Sequence, residues 1–259
     1  MAGSLRPPAG GETMPGLFIG CSGFSYSHWR GTFYPADLPQ SQWFAYYCSL
    51  FASVELNVTF YRLLKPATFD RWRRESPHGF VFSAKGSRFI THVKRLADAA
   101  DPLGRFFDGV LLLGDKLRAV LWQLPPDFAC DPDRLGRFLA LAGRYPVRQA
   151  LEFRHPSWCC AEVVELCRGA GVCLCMADWP AFVAELPLTA GFVYLRRHGH
   201  GGTYASRYST AELAADAERI AAYRAAGREV LIYFNNDAAG HAPANAGELA
   251  ALCGLGPAR

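Results

Sequence analysis

The stretch QALEFRH, residues 149–155, decides the fold. It has the apolar content of a buried strand, but Glu152 and Arg154 interrupt it near its end. Side chains alternate along a strand, so residues two apart share a face. Leu151 and Phe153 therefore lie on one face, Glu152 and Arg154 on the other. Charge is costly inside a protein unless it is paired or used. A barrel of parallel strands offers a place for it. One strand face meets helices and the other fills the interior, and the C-terminal strand ends carry the active sites of this architecture.

Seven further runs fit the same pattern, at 17–23, 53–61, 80–86, 119–125, 172–178, 192–199 and 230–236. Helical patterns fall between most of them, at 40–51, 67–75, 101–117, 131–145, 157–171 and 209–227, with a last one at 244–253. Asp131 before Pro132, Ser157, and Ser209 with Glu212 supply predicted N-caps. The connection at 179–191 is the least helical. Eight β/α alternations with nearly continuous apolar strands predict an α/β fold, a single (β/α)8 TIM-type barrel, irregular between its sixth and seventh strands. The barrel is expected over 17–259, behind a Pro- and Gly-rich tail at 1–16.

Composition narrows the function classes. The chain has 259 residues, 51% apolar and 19% charged, with a net charge of +4. That balance is too weak by itself to argue for nucleic acid. The nine cysteines are odd in number and contain no C-x-x-C pair, so they are expected to be reduced, in a cytoplasmic protein. No apolar run has the length of a signal peptide core or of a membrane span, and no membrane association is expected. No G-x-G-x-x-G or Walker A pattern follows a strand.

The same parity gathers polar groups at one end of every strand. It places Ser22, Glu55, Asn57, Ser83, Lys85, Gln123, Glu152, Arg154, Asp178, Tyr194, Arg196, His198, Tyr233 and Asn235 around one basin. Glu55, Glu152 and His198 are the predicted acid–base groups. Lys85, Arg154 and Arg196 are predicted to hold a small anionic ligand, with Asn57, Gln123 and Asn235 orienting it and Asp178 beside it. The competing expectation is that the pairs are structural plugs. Two loops extend the basin. Residues 85–95 are basic, and HGHGGTYASRY at 198–208 is Gly-rich, suited to phosphate. Trp29, Phe33, Tyr34, Phe60, Tyr61, Trp158 and Trp179 crowd the rim, either as stacking surfaces or as loop anchors. The seven histidines form no ligand pair on a strand, so neither a metal nor another cofactor is expected. An enzyme acting on a small anionic substrate, phosphorylated or sugar-like, is the leading expectation. A nucleic-acid binding or repair protein and a non-catalytic ligand-binding barrel are the alternatives; oligomeric state is open.

Seven blocks now carry a likeness: GCSGFSYSHWRGTFYP (20–35), FASVELNVTFYR (51–62), FVFSAKGSRFITH (80–92), LGDKLRAVLWQLPPDF (113–128), LEFRHPSW (151–158), YLRRHG (194–199) and YFNND (233–237). Over residues 17–253 the chain resembles the domain of unknown function 72 family, the YecE-like proteins. The resemblance implies a TIM-type barrel and supplies no reaction. The family's barrel has a likeness to endonuclease IV, which adds to the basic 85–95 loop and the aromatic rim in support of the nucleic-acid alternative and is analogy at the level of fold. Cys21, Phe24 and Arg197 stand where Thr, Trp and an apolar residue are usual in the family. Parity turns Arg197 outward, so the basin should be intact.

Overall fold

The computed structural model of the protein describes residues 16–179 and 186–256. Residues 1–15 of the expected tail, and 180–185 of the irregular connection, lie outside the described residues.

Nine parallel strands form one sheet. They are β1 (Leu17–Ser22), β2 (Ser53–Leu56), β3 (Val81–Lys85), β4 (Leu117–Gln123), β5 (Arg148–Glu152), β6 (Cys173–Leu174), β7 (Met176–Ala177), β8 (Phe192–Arg197) and β9 (Glu229–Phe234). Their order is β6-β5-β4-β3-β2-β1-β9-β8-β7. Strands β6 and β7 are the two halves of the predicted sixth strand, parted at Cys175. Leu151 pairs with Leu174 on one side, and Met176 pairs with Leu195 on the other. The Cys175 N–H still donates to the Leu151 carbonyl at 2.8 Å. The result is a nearly closed TIM-type barrel with one unsealed seam, where the strand changes partners.

Helices interleave with the strands: α1 (Trp43–Leu50), α2 (Val58–Tyr61), α3 (Pro66–Glu75), α4 (Ala100–Val110), α5 (Pro132–Ala142), α6 (Ala161–Gly169), α7 (Thr210–Ala225) and α8 (His241–Leu252). The barrel's outer faces and the helices enclose the larger apolar layer, with Trp122, Phe82, Phe107 and Phe138 fully buried. A smaller layer fills the interior: Ala119, Leu121, Ala150, Cys173, Cys175, Phe192, Tyr194, Leu231 and Tyr233. Among the described residues no helix is long and apolar enough to cross a membrane.

Local chemistry explains most element ends. Asp131 caps α5 by accepting from the Arg134 N–H, with Pro132 in the first turn. Ser209 and Glu212 form a reciprocal capping box on α7. Three expectations are corrected. β2 stops at Leu56, because Asn57 has helical backbone angles and opens the short α2. The predicted 101–117 helix ends at Val110, and a tighter turn with Gly114 at φ +59° follows. Ser157 does not cap α6; its hydroxyl accepts from the Cys130 N–H, and the helix begins at Ala161. Trp29, Tyr34 and Trp158 are buried, so these rim aromatics anchor loops rather than offer stacking surfaces. The Trp158 indole N–H, for example, donates to the Phe128 carbonyl at 2.6 Å.

Candidate functional site

The polar strand ends form two tiers above the interior apolar layer. The lower tier is Glu55, Glu152, Arg196 and His198, all fully buried. The upper tier is Lys85, Gln123, Arg154 and Asn235, each 5–8% exposed. A molecule entering from solvent meets the upper tier first.

Arg196 ties the lower tier together. Its Nη2 donates to Glu55 Oε1 at 2.7 Å and its Nη1 to Glu152 Oε2 at 2.7 Å. Glu55 also accepts from the Ser22 hydroxyl and, at 2.6 Å, from the Tyr194 hydroxyl. Glu152 Oε1 accepts from Arg154, and His198 Nε2 stands 3.2 Å from the same oxygen. Arg154 Nη2 points at His198 Nε2 from 2.9 Å, and Arg196 Nη1 from 3.3 Å. Two guanidinium donors thus converge on Nε2, which fits a neutral ring accepting there. Asn235 meets Nδ1 at 3.1 Å. The Arg154 guanidinium lies 3.8 Å from the Trp179 ring centre.

These contacts fix the protonation states. Burial would raise both glutamates, but the arginines outweigh it: Arg196 with the Ser22 and Tyr194 hydrogen bonds at Glu55, and Arg154 with Arg196 at Glu152. Both carboxyls are held below their ordinary range, Glu152 far below. Burial pushes His198 down to about 4, so it is neutral near pH 7. Lys85 is different. Burial, then the charge of Arg196, pushes its ammonium down to about 7. Its Nζ lies 4.2 Å from the Phe60 ring centre. No carboxylate among the described residues lies within ion-pair distance of it.

The structure thus brings Lys85, Glu152, Arg154, Arg196, His198, Asn235 and Glu55 to one basin, with Gln123 in register beside Glu152 and its amide donating to the Leu124 carbonyl at 2.7 Å. Asn57 and Asp178 are not part of this network. Cys173 and Cys175 fill the interior in the sixth strand, so Asp178 falls on the other parity. One of its oxygens accepts from the His198 N–H at 2.6 Å and the other from the Tyr208 hydroxyl, clamping the end of β8 on the helix side. Arg197 faces helices and pairs with Asp216 of α7. The Gly-rich loop does not form the expected phosphate cradle. The N–H groups of Gly199, His200, Gly202, Thr203 and Tyr204 are all consumed within the loop and its Ser206 and Tyr208 anchors. In the basic loop, Arg95 pairs with Asp127 and Lys94 with Asp98. Among the described residues no group of three or more His, Cys, Asp or Glu could hold a metal.

Tyr204 is a site residue that sequence reasoning missed. It has φ +61°, a left-handed backbone costly for a bulky residue. Its N–H donates to the His198 carbonyl at 2.9 Å. Its ring stands edge-on to His198, with 5.3 Å between centres. The available signal was its place just after three glycines at positive φ, where the chain turns back over the strand end.

Several known proteins resemble this chain. A structure of a DUF72 family protein from Thermotoga maritima MSB8 (TM1631) superposes with a TM-score of 0.79 at 30% identity, covering 90% of this chain and 97% of that one. A DUF72 family protein from Enterococcus faecalis V583 (EF0366) has a TM-score of 0.77 at 19% identity over 92% and 96% of the two chains, a likeness of fold. The UPF0759 protein YunF of Bacillus subtilis (strain 168) is 28% identical over 149 residues, 55% of this chain. The match spans about half, 52%, of that curated relative's length. A sequence model of the family described as "Protein of unknown function DUF72" matches residues 18–259. With the barrel and its seven sequence blocks, this match means that the chain belongs to the DUF72 family.

Proposed function

We propose that the protein is an enzyme that moves protons on a small anionic substrate at the C-terminal mouth of its barrel. One observation carries this reading. Two glutamates and two arginines neutralise one another in the basin, and Lys85 is left as a cation with no carboxylate of its own among the described residues. A buried charge without a partner is costly, and function is the usual reason such a cost persists. A substrate anion would complete the set. Lys85 also changes protonation near neutral pH, as a proton carrier must.

The charges divide into roles. Glu55, Arg196, Glu152 and His198 are too deeply sealed to meet a ligand directly. Their fixed charges set the field at Lys85. Gln123, Arg154 and Asn235 flank the ligand and orient it. The engaged N–H groups of Gly199, His200, Gly202, Thr203 and Tyr204 favour a singly charged carboxylate over a phosphate ester. The tier structure changes the expected assignment, since Arg196 holds the glutamates and the proton carrier is Lys85.

The test is a thermal-shift screen of small carboxylates, phosphate esters and sugar acids at low salt. Hits are then incubated in D2O and followed by NMR for solvent deuterium incorporation or product. A carboxylate that stabilises the protein at pH 6, loses affinity as pH rises through 8, and is turned over is the expected result. Equal stabilisation of Lys85→Met, or no hit among the anions, overturns the reading.

A further inference from the structure

The position of Lys85 allows more specific chemistry than proton transfer. Its side chain sits at the end of β3, in the upper tier, 7% exposed. An amine that reacts with a carbonyl needs three things: an accessible lone pair, a surface that tolerates a cation after reaction, and freedom from a tight ion pair. Lys85 meets the second and third, and its upper-tier position, 7% exposed, places it nearer solvent than the sealed lower tier. No carboxylate is within ion-pair distance among the described residues, although Glu55 and Glu152 lie near enough to act on it through space. The Phe60 ring faces its nitrogen at 4.2 Å and can carry a cation on its face. The two arginines that would repel a further ammonium are already matched to Glu152 and Glu55.

Resting on the proposed function above, we infer that the Lys85 amine condenses with the carbonyl of a small oxo-acid to form an iminium at the barrel mouth. In this step the amine lone pair attacks the carbonyl carbon. A C–N bond forms and the C=O π electrons move to oxygen. The nitrogen loses a proton and the oxygen gains one, giving a carbinolamine. That hydroxyl takes up one further proton and leaves as water while the nitrogen lone pair closes the C=N bond. The sum is amine, carbonyl and one proton going to iminium and water, with no change in oxidation state. The iminium keeps the positive charge that the substrate carboxylate requires. Arg154, Gln123 and Asn235 face that carboxylate from the other strand ends.

The burial that sets the Lys85 ammonium near neutrality supports the same assignment, because far more of it is free amine at pH 7 than of an exposed lysine. The chain also has a convenient internal control. It holds four lysines, at 65, 85, 94 and 116. Lys65 is exposed, Lys94 pairs with Asp98, and Lys116 is bound to the carbonyls of Arg73, Ser76 and Pro77.

The experiment incubates the full chain at pH 7 with glyoxylate or pyruvate, adds borohydride to reduce any iminium to a stable secondary amine, and maps the adduct by peptide mass. Parallel samples use Lys85→Arg, which keeps the charge without the nucleophile, and Lys85→Met. Binding of propionate, which has no carbonyl, is measured by calorimetry on the same proteins. The expected result is one adduct per chain at Lys85, at least about tenfold above Lys65, and none at position 85 in either variant. Labelling spread over Lys65 and Lys94 at equal or higher rates overturns the inference. If propionate binds through Lys85 while no adduct forms, the iminium is wrong and the anion site survives. If neither adduct nor anion binding is found, both fail.

Discussion

Glu152 shows how much one buried charge depends on its neighbours. It is fully buried, yet its carboxylate stays ionised because Arg154 and Arg196 both donate to it. Replacing it with Gln leaves two buried guanidinium groups short of a partner, a change that typically costs about 3–5 kcal/mol. Urea unfolding of Glu152→Gln at pH 7 should read a loss of that order; a loss below about 1 kcal/mol would mean that solvent screens the site. Wild-type stability should also fall in acid. The glutamates, depressed in the folded state, contribute fully above the ordinary carboxylate range and lose that contribution as pH falls through their folded values. His198 adds to the decline between about pH 6.5 and its folded value of about 4, because the unfolded chain takes up that proton first. Lys85 acts with the same sign in a higher pH window. Its folded value of about 7 lies below the unfolded one, so the unfolded chain holds more protons between them. Stability attributable to Lys85 therefore rises with pH across that window, by up to about 1.4 kcal/mol per pH unit. The difference between wild type and Lys85→Met, followed by urea titration from pH 7 to 8.5, should climb in favour of wild type. Parallel curves would show that Lys85 is an ordinary exposed lysine.

At the scale of elements, the strands act as rulers that bring each polar end to one level. Gly20 shows how closely two of them must approach. A Cβ there would stand 2.2 Å from the Ser53 carbonyl oxygen, backbone that cannot yield without parting β1 from β2. Gly20→Ala should cost about 1–3 kcal/mol or more by overpacking. It should also loosen the Ser22–Glu55 contact two residues further along. Thermal melts with amide exchange at β1 and β2 check this, and unchanged protection there would sink it. The same ruler explains what was legible in the sequence. In β5 and β8, alternating charged and apolar residues gave the parity away, and Glu152, Arg154, Arg196 and His198 fall where it puts them. In the sixth strand both faces are apolar, Cys173 and Cys175 on one and Leu174 and Met176 on the other. No polar contrast chose between them, so Asp178 was assigned to the wrong face. Asn57 failed for another reason. β2 has only four residues, and a helical turn starts where the strand pattern still continued. The loop N–H groups around Gly199 were illegible because their partners, Ser206 and Tyr208, lie within the same loop and look like any polar residues.

For the molecule as a whole, the two barrel ends carry different burdens, and mutation can separate them. The N-terminal end is closed by Glu229 of β9, which pairs with Arg118 of β4 and Arg148 of β5 across the barrel axis. The two arginines also lie over the Phe18 and Phe192 rings, 5.6 and 5.2 Å from their centres. Both arginines there reach the one Glu229 carboxylate, and the plug joins strands far apart in the sheet, so it serves stability. At the other end Lys85, unlike either plug arginine, has no carboxylate within ion-pair distance among the described residues. The Glu229 side chain is 13% exposed, whereas those of both arginines are 36% exposed. Solvent screening therefore reduces the cost of Glu229→Gln to about 1–2 kcal/mol, below that of a sealed pair. Lys85→Met removes a desolvated ammonium and keeps an unbranched apolar stem, so stability at pH 7 should hold level or rise. Carboxylate binding should divide the other way. Glu229→Gln should bind propionate as wild type does, and Lys85→Met should lose binding altogether. Chemical unfolding and calorimetry on the two variants read both axes. A Lys85→Met protein that unfolds more easily while still binding the anion would make Lys85 a structural group and move the search for a site elsewhere on the barrel.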